Sequence, residues 1–244
     1  MKLSIVIPAY NEAKTIDQIL TNINKVISAV KFEKEIIIVN DCSSDNSSIV
    51  LEQLANSNPE ITIITNDINL GKTQTVKRGL LATTGDWVVI QDADLEYDPN
   101  DFVFMLEQAI RLDVDVAYGN RFGIDNGVGY LKNFIGNVGL SLISNLFTMR
   151  RIRVYIPDME VCYKMVKGSI IRELAPQILS RSSFGFEPEI TARLSRYKKP
   201  NGQNLKFVTL PIHYYPRSLE EGKKMHAIKD GLKALAEIIR FNLF

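Results

Sequence analysis

Two carboxylates one residue apart close an apolar run: Trp87-Val88-Val89-Ile90-Gln91 gives way to Asp92-Ala93-Asp94, with Glu96 and Asp98 just behind. A run of this kind predicts a buried strand that delivers acids to its own C-terminal edge. In open α/β sheets ligands bind at that edge. In extended geometry Asp92 and Asp94 point to the same side, within reach of one ion. Two hard oxygen ligands leave a cation incomplete, which suits Mg²⁺ or Mn²⁺ completing its shell from water and substrate phosphates. The pair therefore predicts a diphosphate-bearing substrate. A plainer role competes for the same residues, with Asp94 and Asp98 as turn and helix-capping groups ahead of Pro99.

The elements that must position these acids are legible as hydrophobic periodicity. Leu3–Ile7, Glu35–Val39, Ile61–Ile64, Val114–Tyr118, Val161–Val166 and Lys206–Ile212 read as further strands. Between the early ones lie helical stripes: Ile16, Ile19, Leu20, Ile23, Val26, Ile27 and Val30; then Ile49, Val50 and Leu54; then Val76, Leu80 and Leu81. Phe102, Met105, Leu106 and Ile110 suggest a helix after the acidic loop, and Pro188–Tyr197 another. Strand and helix alternating at this spacing predict a mainly parallel, open, twisted sheet with helices on both faces. From Phe122 the texture changes, and Tyr130–Met149 reads less as a sheet-covering helix than as a flexible or ligand-facing segment. Near the end Met225, Ile228, Leu232, Leu235 and Ile239 form one apolar stripe, with Lys229, Lys233, Glu237 and Arg240 on another face. That helix either docks on the sheet or lays its basic face on an anionic membrane surface, and one helix can do both.

The chain has 244 residues, 45% of them hydrophobic and 23% charged, enough for one large α/β domain or two lobes sharing a core. A net charge of +1 argues neither for nor against nucleic acid, and no local feature speaks for it. Two cysteines, Cys42 and Cys162, are too few for a disulfide framework and suggest a reducing, cytoplasmic setting. No apolar run approaches the roughly 20 residues that span a bilayer, so any membrane contact is expected from the surface.

Ile7-Pro8-Ala9-Tyr10-Asn11-Glu12, Asn40-Asp41-Cys42-Ser43-Ser44-Asp45, Asn69-Leu70-Gly71-Lys72 and Asp92-Ala93-Asp94 follow four successive strands. Together they resemble the family 2 glycosyltransferases of GT-A fold. Asp92 to Pro99, Gly119-Asn120-Arg121-Phe122, Asp158-Met159-Glu160-Val161-Cys162-Tyr163-Lys164 and Tyr214-Tyr215-Pro216-Arg217 through Glu221-Gly222-Lys223-Lys224 are similar to the dolichyl- or polyprenyl-phosphate sugar synthase branch. The resemblance covers nearly the whole chain and implies one GT-A domain, residues 1–121 binding a nucleotide-diphosphate sugar and 122–244 shaping the acceptor site.

The resemblance also assigns roles. Asp41 matches a loop aspartate that accepts from the base, with helix capping as its competing role, and Asn40 stands where many relatives carry a second aspartate. Pro8, Tyr10 and Glu12 match the nucleoside pocket, Glu12 on the ribose hydroxyls, and Lys72 and Arg121 are placed on the donor. The metal falls to Asp94 with Asp92 and Glu96. Asp158 is the candidate base or acceptor-positioning group, and Glu187 its understudy. Arg217 and Lys132 are the candidate acceptor phosphate contacts, although a purely solvated lysine is the preferred reading of Lys132. The implied reaction is inverting, metal-dependent sugar transfer to a polyprenyl phosphate at the cytoplasmic face of a membrane, by a protein that can be a homo-oligomer. Membrane-bound relatives often carry C-terminal transmembrane helices, and this chain ends at Phe244 without them, which leaves a sugar hydroxyl as the rival acceptor. A nucleotide-sugar binder without catalysis is the rival from another class. A sugar-1-phosphate nucleotidyltransferase is disfavoured, since Ala9-Tyr10-Asn11-Glu12 replaces its expected Gly-rich, arginine-bearing loop.

Overall fold

A computed structural model describes residues 1–124, 126, 131–217 and 227–243, with the backbone alone for 131–134 and 227–229. The strands are β1 Lys2–Ala9, β2 Glu33–Asn40, β3 Ile61–Thr65, β4 Trp87–Ile90, β5 Val116–Asn120, β6 Lys164–Lys167 and β7 Phe207–Pro211. They form one sheet in the order β3-β2-β1-β4-β6-β5-β7. Ile5, Val6, Ile7, Ile36, Ile38, Val88 and Val89 are all at or near complete burial, as expected of strands covered on both sides. The α/β class and the mainly parallel sheet match expectation.

One strand runs the other way. β6 is antiparallel to both β4 and β5, with Met165 opposite Val89 and Ala117. The parallel strands bring their C-terminal ends to one edge of the sheet, so a reversed strand brings its N-terminal end there. The residues preceding β6 consequently arrive beside the loop that follows β4.

The helices are α1 Ile16–Lys25, α2 Ser47–Ser57, α3 Lys72–Ala82, α4 Pro99–Arg111, α5 Leu131–Ile152, α6 Gly168–Leu174, α7 Phe186–Arg196 and α8 Ala227–Leu243. Several differ from the periodicity reading. α1 stops at Lys25 because Val26 turns extended, and Ser28 Oγ and the Ala29 amide donate to Glu107 of α4 at 2.9 and 2.7 Å; Ile27 is left exposed. α2 buries Leu51 and turns Ile49 outward, while Leu81 and Ile110 are exposed on α3 and α4.

The segment around Tyr130–Met149 is the larger correction. From Leu131 onward it is a continuous helix of 22 residues, and Tyr130 itself lies outside the described residues. α5 packs on α7 and α8 and buries polar residues, Ser141, Ser144, Asn145 and Thr148, among the core-packed Leu140, Ile143 and Phe147, so its inner face is mixed rather than an apolar stripe. On α8 the expected stripe is likewise rotated: Ala234, Ile238 and Phe241 are buried, and Leu232 and Ile239 are exposed. Met225 and the side chains of Ile228 and Lys229 lie outside the described residues. No helix among the described residues is long and apolar enough to cross a membrane.

α3 approaches the sheet at Gly79, where an added Cβ would sit 2.4 Å from Val6 Cγ1 and 3.1 Å from Val39 Cγ2. Gly79→Ala is therefore expected to lower the unfolding free energy by about 1–3 kcal/mol through overpacking. A urea titration with an unshifted midpoint would contradict this close approach.

Candidate active site

Four loops at the functional edge each turn through one positive-φ residue: Asn11 after β1 (φ 56°), Cys42 after β2 (57°), Gly71 after β3 (79°) and Leu95 after β4 (63°). Glycine adopts this geometry freely and asparagine tolerates it, whereas in a leucine it is strained. Leu95 takes the strain between Asp94 and Glu96, turning the chain back after the acidic pair. Asp94 also serves the turn, accepting from the Glu96 amide at 3.2 Å, and Asp98 caps α4 by accepting from the Asn100 amide at 2.9 Å. The plainer role proposed for these aspartates is thus real and coexists with their place at the site.

Two cavities meet here. A smaller one of about 400 Å³ is lined by Pro8, Tyr10, Glu12, Asp41 and Asn69. A larger one of about 550 Å³ is lined by Glu96, Arg121, Glu160, Glu187, Tyr214 and Arg217. Lys72, Asp92, Asp94 and Ser183 belong to both walls.

Asp41 is buried and accepts from Asn66 Nδ2 at 2.7 Å and from the Leu70 and Gly71 amides at 2.8 and 2.9 Å. It thereby fixes the loop that starts α3, and with three donors on about four acceptor positions it retains capacity for one more. Asn40, 1% exposed, binds Ser48 Oγ and the Ser43 amide and does not line the smaller cavity.

α3 carries Lys72 inward, where Nζ lies 2.8 Å from Asp92 Oδ1 and 3.8 Å from Glu187 Oε1. Burial opposes its charge, but Asp92, with Cys162 and Glu187 beyond, holds its pKa well above the ordinary lysine value. Glu187 reaches this point because Gln74 and Lys77 of α3 donate to the carbonyls of Ser180 and Ile178 at 2.6 and 2.8 Å, strapping down the segment that leads into α7.

Asp94 is paired with Arg217, Oδ2 to Nη2 at 2.8 Å. Burial, then the charges of Asp92 and Glu96, push its carboxyl up to about 7 against the pull of Arg217. Glu96, expected among the metal ligands, shares the larger cavity's wall with Asp92 and Asp94, and its carboxylate accepts from Tyr214 Oη at 2.7 Å and from the Arg217 amide at 2.9 Å. With the bonds from His213 to Asp101 and from the Tyr215 amide to the Glu96 carbonyl, these fix the segment that presents Arg217. Nε of Arg217 is buried and has no hydrogen-bond partner among the described residues. Among those residues no three His, Cys, Asp or Glu side chains are gathered as a ready-made metal cage.

Asp158, the candidate base or acceptor-positioning group, is paired with Arg121. It is fully buried and lines neither cavity, and its two oxygens receive Nε and Nη2 of Arg121 at 2.7 Å each. A buried carboxylate held in a bidentate pair, on neither cavity wall, is poorly placed to take a proton from an acceptor. Arg121 does line the larger cavity, with its guanidinium 5.0 Å from the Tyr214 ring centroid. Lys132 falls within α5, but its side chain is outside the described residues, as is the Glu221-Gly222-Lys223-Lys224 run.

Sequence reading passed over Glu160 as a site residue. It sits on the larger cavity's wall, and its Oε1 is buried without a hydrogen-bond partner among the described residues. Burial and neighbouring Glu187 push its carboxyl up to about 8. Lys164 lies beneath, its Nζ donating to the Val161 carbonyl, and burial pulls its pKa down. Only the direction of β6, invisible in the local pattern, could have flagged Glu160.

Residues 4–174 match the family described as glycosyl transferase family 2, which is more than half of the chain. The chain belongs to glycosyl transferase family 2. It is 30% identical over 122 residues to dolichol-phosphate mannosyltransferase of Pyrococcus furiosus, a match covering 50% of this chain and 34% of that one. It is 40% identical over 102 residues to undecaprenyl-phosphate 4-deoxy-4-formamido-L-arabinose transferase of Proteus mirabilis, covering 41% and 31% respectively. The chain thus spans about a third of the length of these two relatives. The fold is the GT-A fold, shared with glucosyl-3-phosphoglycerate synthase of Mycobacterium tuberculosis, solved with Mn²⁺, UDP and glucosyl-3-phosphoglycerate. That similarity has a TM-score of 0.64 at 18% identity, over 99% of this chain and 80% of the other.

Removing the Asp158 charge strands a buried guanidinium. Asp158→Asn is expected to cost about 3–5 kcal/mol of stability, so a normal unfolding curve with lost activity alone would return Asp158 to the reacting centre. For Glu160 the folded-state pKa lies above the unfolded one, so the wild type loses stability as pH rises from about 4.5 to about 8. The stability advantage of Glu160→Gln over the parent should grow across that window and flatten above it, as chemical denaturation at stepped pH will show.

Proposed function

We propose that this chain transfers a sugar from a nucleotide-diphosphate sugar to a polyprenyl phosphate, with inversion and with a divalent cation. The observation that carries the reading is the shared wall: Lys72, Asp92 and Asp94 stand between a cavity of nucleoside character and one that ends on Arg217. Residues 1–121 then hold the donor and 122–244 shape the acceptor side. Tyr10 and Pro8 flank the base, the remaining acceptor capacity of Asp41 meets a base N–H, and Glu12 takes the ribose hydroxyls. Lys72 faces the diphosphate, where a cation is already in place. The names of the two curated relatives supply the acceptor class, dolichol phosphate in one and undecaprenyl phosphate in the other.

The donor set at the corner is all carboxylate, which fits Mg²⁺ or Mn²⁺ in kind. Asp94 and Asp92 can hold such an ion, since Mg²⁺ sites commonly use one or two carboxylates with substrate phosphates and water. Asp94, pushed up by burial and then by its acidic neighbours, already has a guanidinium occupying the place of positive charge. When bound, the cation neutralises the departing diphosphate. Glu96 acts through the segment it anchors.

A lipid phosphate has a second pKa near 6 and is largely a dianion at neutrality. One of its oxygens attacks the anomeric carbon as the bond from that carbon to the diphosphate oxygen breaks. A single displacement of this kind inverts the centre. No general base is needed, in keeping with the locked Asp158, and the unpartnered Nε of Arg217 suits the acceptor phosphate. Glu187, on the cavity wall, would be the base for a sugar-hydroxyl acceptor.

Incubating radiolabelled nucleotide sugars with a short-chain polyprenyl phosphate and, separately, with oligosaccharides distinguishes the two acceptors, and product from the oligosaccharides alone would reject the lipid reading. Asp94→Ala is expected to reduce transfer by about two orders of magnitude or more with the thermal transition moved by only a few degrees. EDTA should abolish the parent's activity and added Mn²⁺ restore it.

A further inference from the structure

The reaction derived so far leaves Glu160 idle, although it lines the larger cavity. Its Oε1 is buried without a hydrogen-bond partner among the described residues. Lys164, which acts on it electrostatically, gives its Nζ to the Val161 carbonyl instead. A buried acceptor left bare costs stability that folding does not recover. One that faces a cavity therefore points to a ligand that completes it.

The position of Glu160 along the wall says which part of a ligand it meets. Lys72 Nζ stands 2.8 Å from Asp92 and 3.8 Å from Glu187, and Glu187 is the strongest charge acting on Glu160. The wall thus runs from the acidic corner through Lys72 and Glu187 to Glu160. With a diphosphate at that corner, the group bonded to it on the side of the larger cavity is the sugar. Its anomeric carbon must lie between the corner and Arg217 to meet an acceptor phosphate there, and Glu160 and Glu187 line the same space.

The chemistry of the two carboxyl groups narrows the sugar. A sugar hydroxyl both donates and accepts, and a carboxyl group can answer either way. Burial, then Glu187, pushes the Glu160 carboxyl up to about 8, so at neutrality it mostly carries a proton and offers a donor beside its acceptor. An acidic sugar would crowd a third carboxyl against these two.

We propose that Glu160 reads a hydroxyl of the transferred sugar, with Glu187 beside it, and that the donor accordingly carries a neutral, hydroxyl-bearing sugar and not a uronic acid. The inference rests on the nucleotide-sugar reading of the site and deepens it.

Isothermal titration calorimetry of the intact chain with Mn²⁺ compares the free diphosphates of uridine, adenosine, cytidine, guanosine and thymidine with their glucose and mannose esters, then with the glucuronate ester of whichever base binds. The parent should bind a neutral ester and hold the glucuronate more weakly by about tenfold or more. Glu160→Leu keeps the volume and removes the hydrogen bond. It should weaken the neutral ester by about tenfold while the free diphosphate binds as in the parent. Glu160→Gln imitates the protonated carboxyl and should stay within about threefold of the parent. An ester affinity unchanged in Glu160→Leu, a loss shared equally by ester and free diphosphate, or a glucuronate bound as tightly as the neutral sugar overturns the assignment. Binding of none of these nucleotides rejects the donor reading itself, which tells the two failures apart.

Discussion

Negative charge at the end of β4 is the constraint that the surrounding structure resolves. Asp92, Asp94 and Glu96 lie within five residues at a half-buried edge, where burial first and then the charges of its acidic neighbours raise the Asp94 carboxyl. Two cations hold the arrangement together, and each comes from far along the chain. Lys72 arrives on α3 and Arg217 on the segment after β7. The elements that carry these cations are tied down in turn by the acids or their neighbours: Glu96 anchors the backbone of Arg217, and Glu187 faces Lys72. The corner is thus a small electrostatic network in which removing any one charge leaves another unbalanced.

The reversed β6 gives this corner its second wall. A uniformly parallel sheet offers only loops that follow strands, and loops that precede them lie at the opposite edge. Inserting β6 between β4 and β5 brings Glu160 and Cys162 to the cavity without a long excursion of the chain. It also creates a cost, because 153–163 is irregular backbone beside a buried strand. The polar inner face of α5 and the Arg121–Asp158 pair meet that cost.

Legibility in the sequence followed the range of the interactions. Strand-end motifs depend on a few neighbouring residues, and Pro8, Tyr10, Glu12, Asp41, Lys72, Asp92 and Asp94 were all brought to the two cavities from that local pattern. The length of α5 was hidden because its apolar residues lie on both sides of the helix, with serines, threonine and asparagine buried between them, so no single stripe stands out. The rotation of α8 was hidden because two alternative stripes, Leu232 with Ile239 and Ala234 with Ile238, satisfy the same spacing. Strand direction for β6 and the pairing of Arg121 with Asp158, 37 residues apart, are tertiary facts with no short-range signature.

Departures from local preference collect at the same edge. A leucine stands in a left-handed conformation, a carboxyl oxygen of Glu160 and Nε of Arg217 are buried without hydrogen bonds among the described residues, and three acids crowd one loop. Each of these costs on the order of 1–3 kcal/mol, which a marginally stable fold tolerates only where the surroundings fix the geometry. The strands behind the edge supply that rigidity, with Ile5, Ile7, Ile38 and Val89 completely buried. A donor diphosphate, a cation and an acceptor phosphate would relieve the same defects, by giving Arg217 an anion and the crowded acids a counter-charge. Strain at that edge would then be the complement of what such groups bring, and binding energy that cancelled it could serve to orient them.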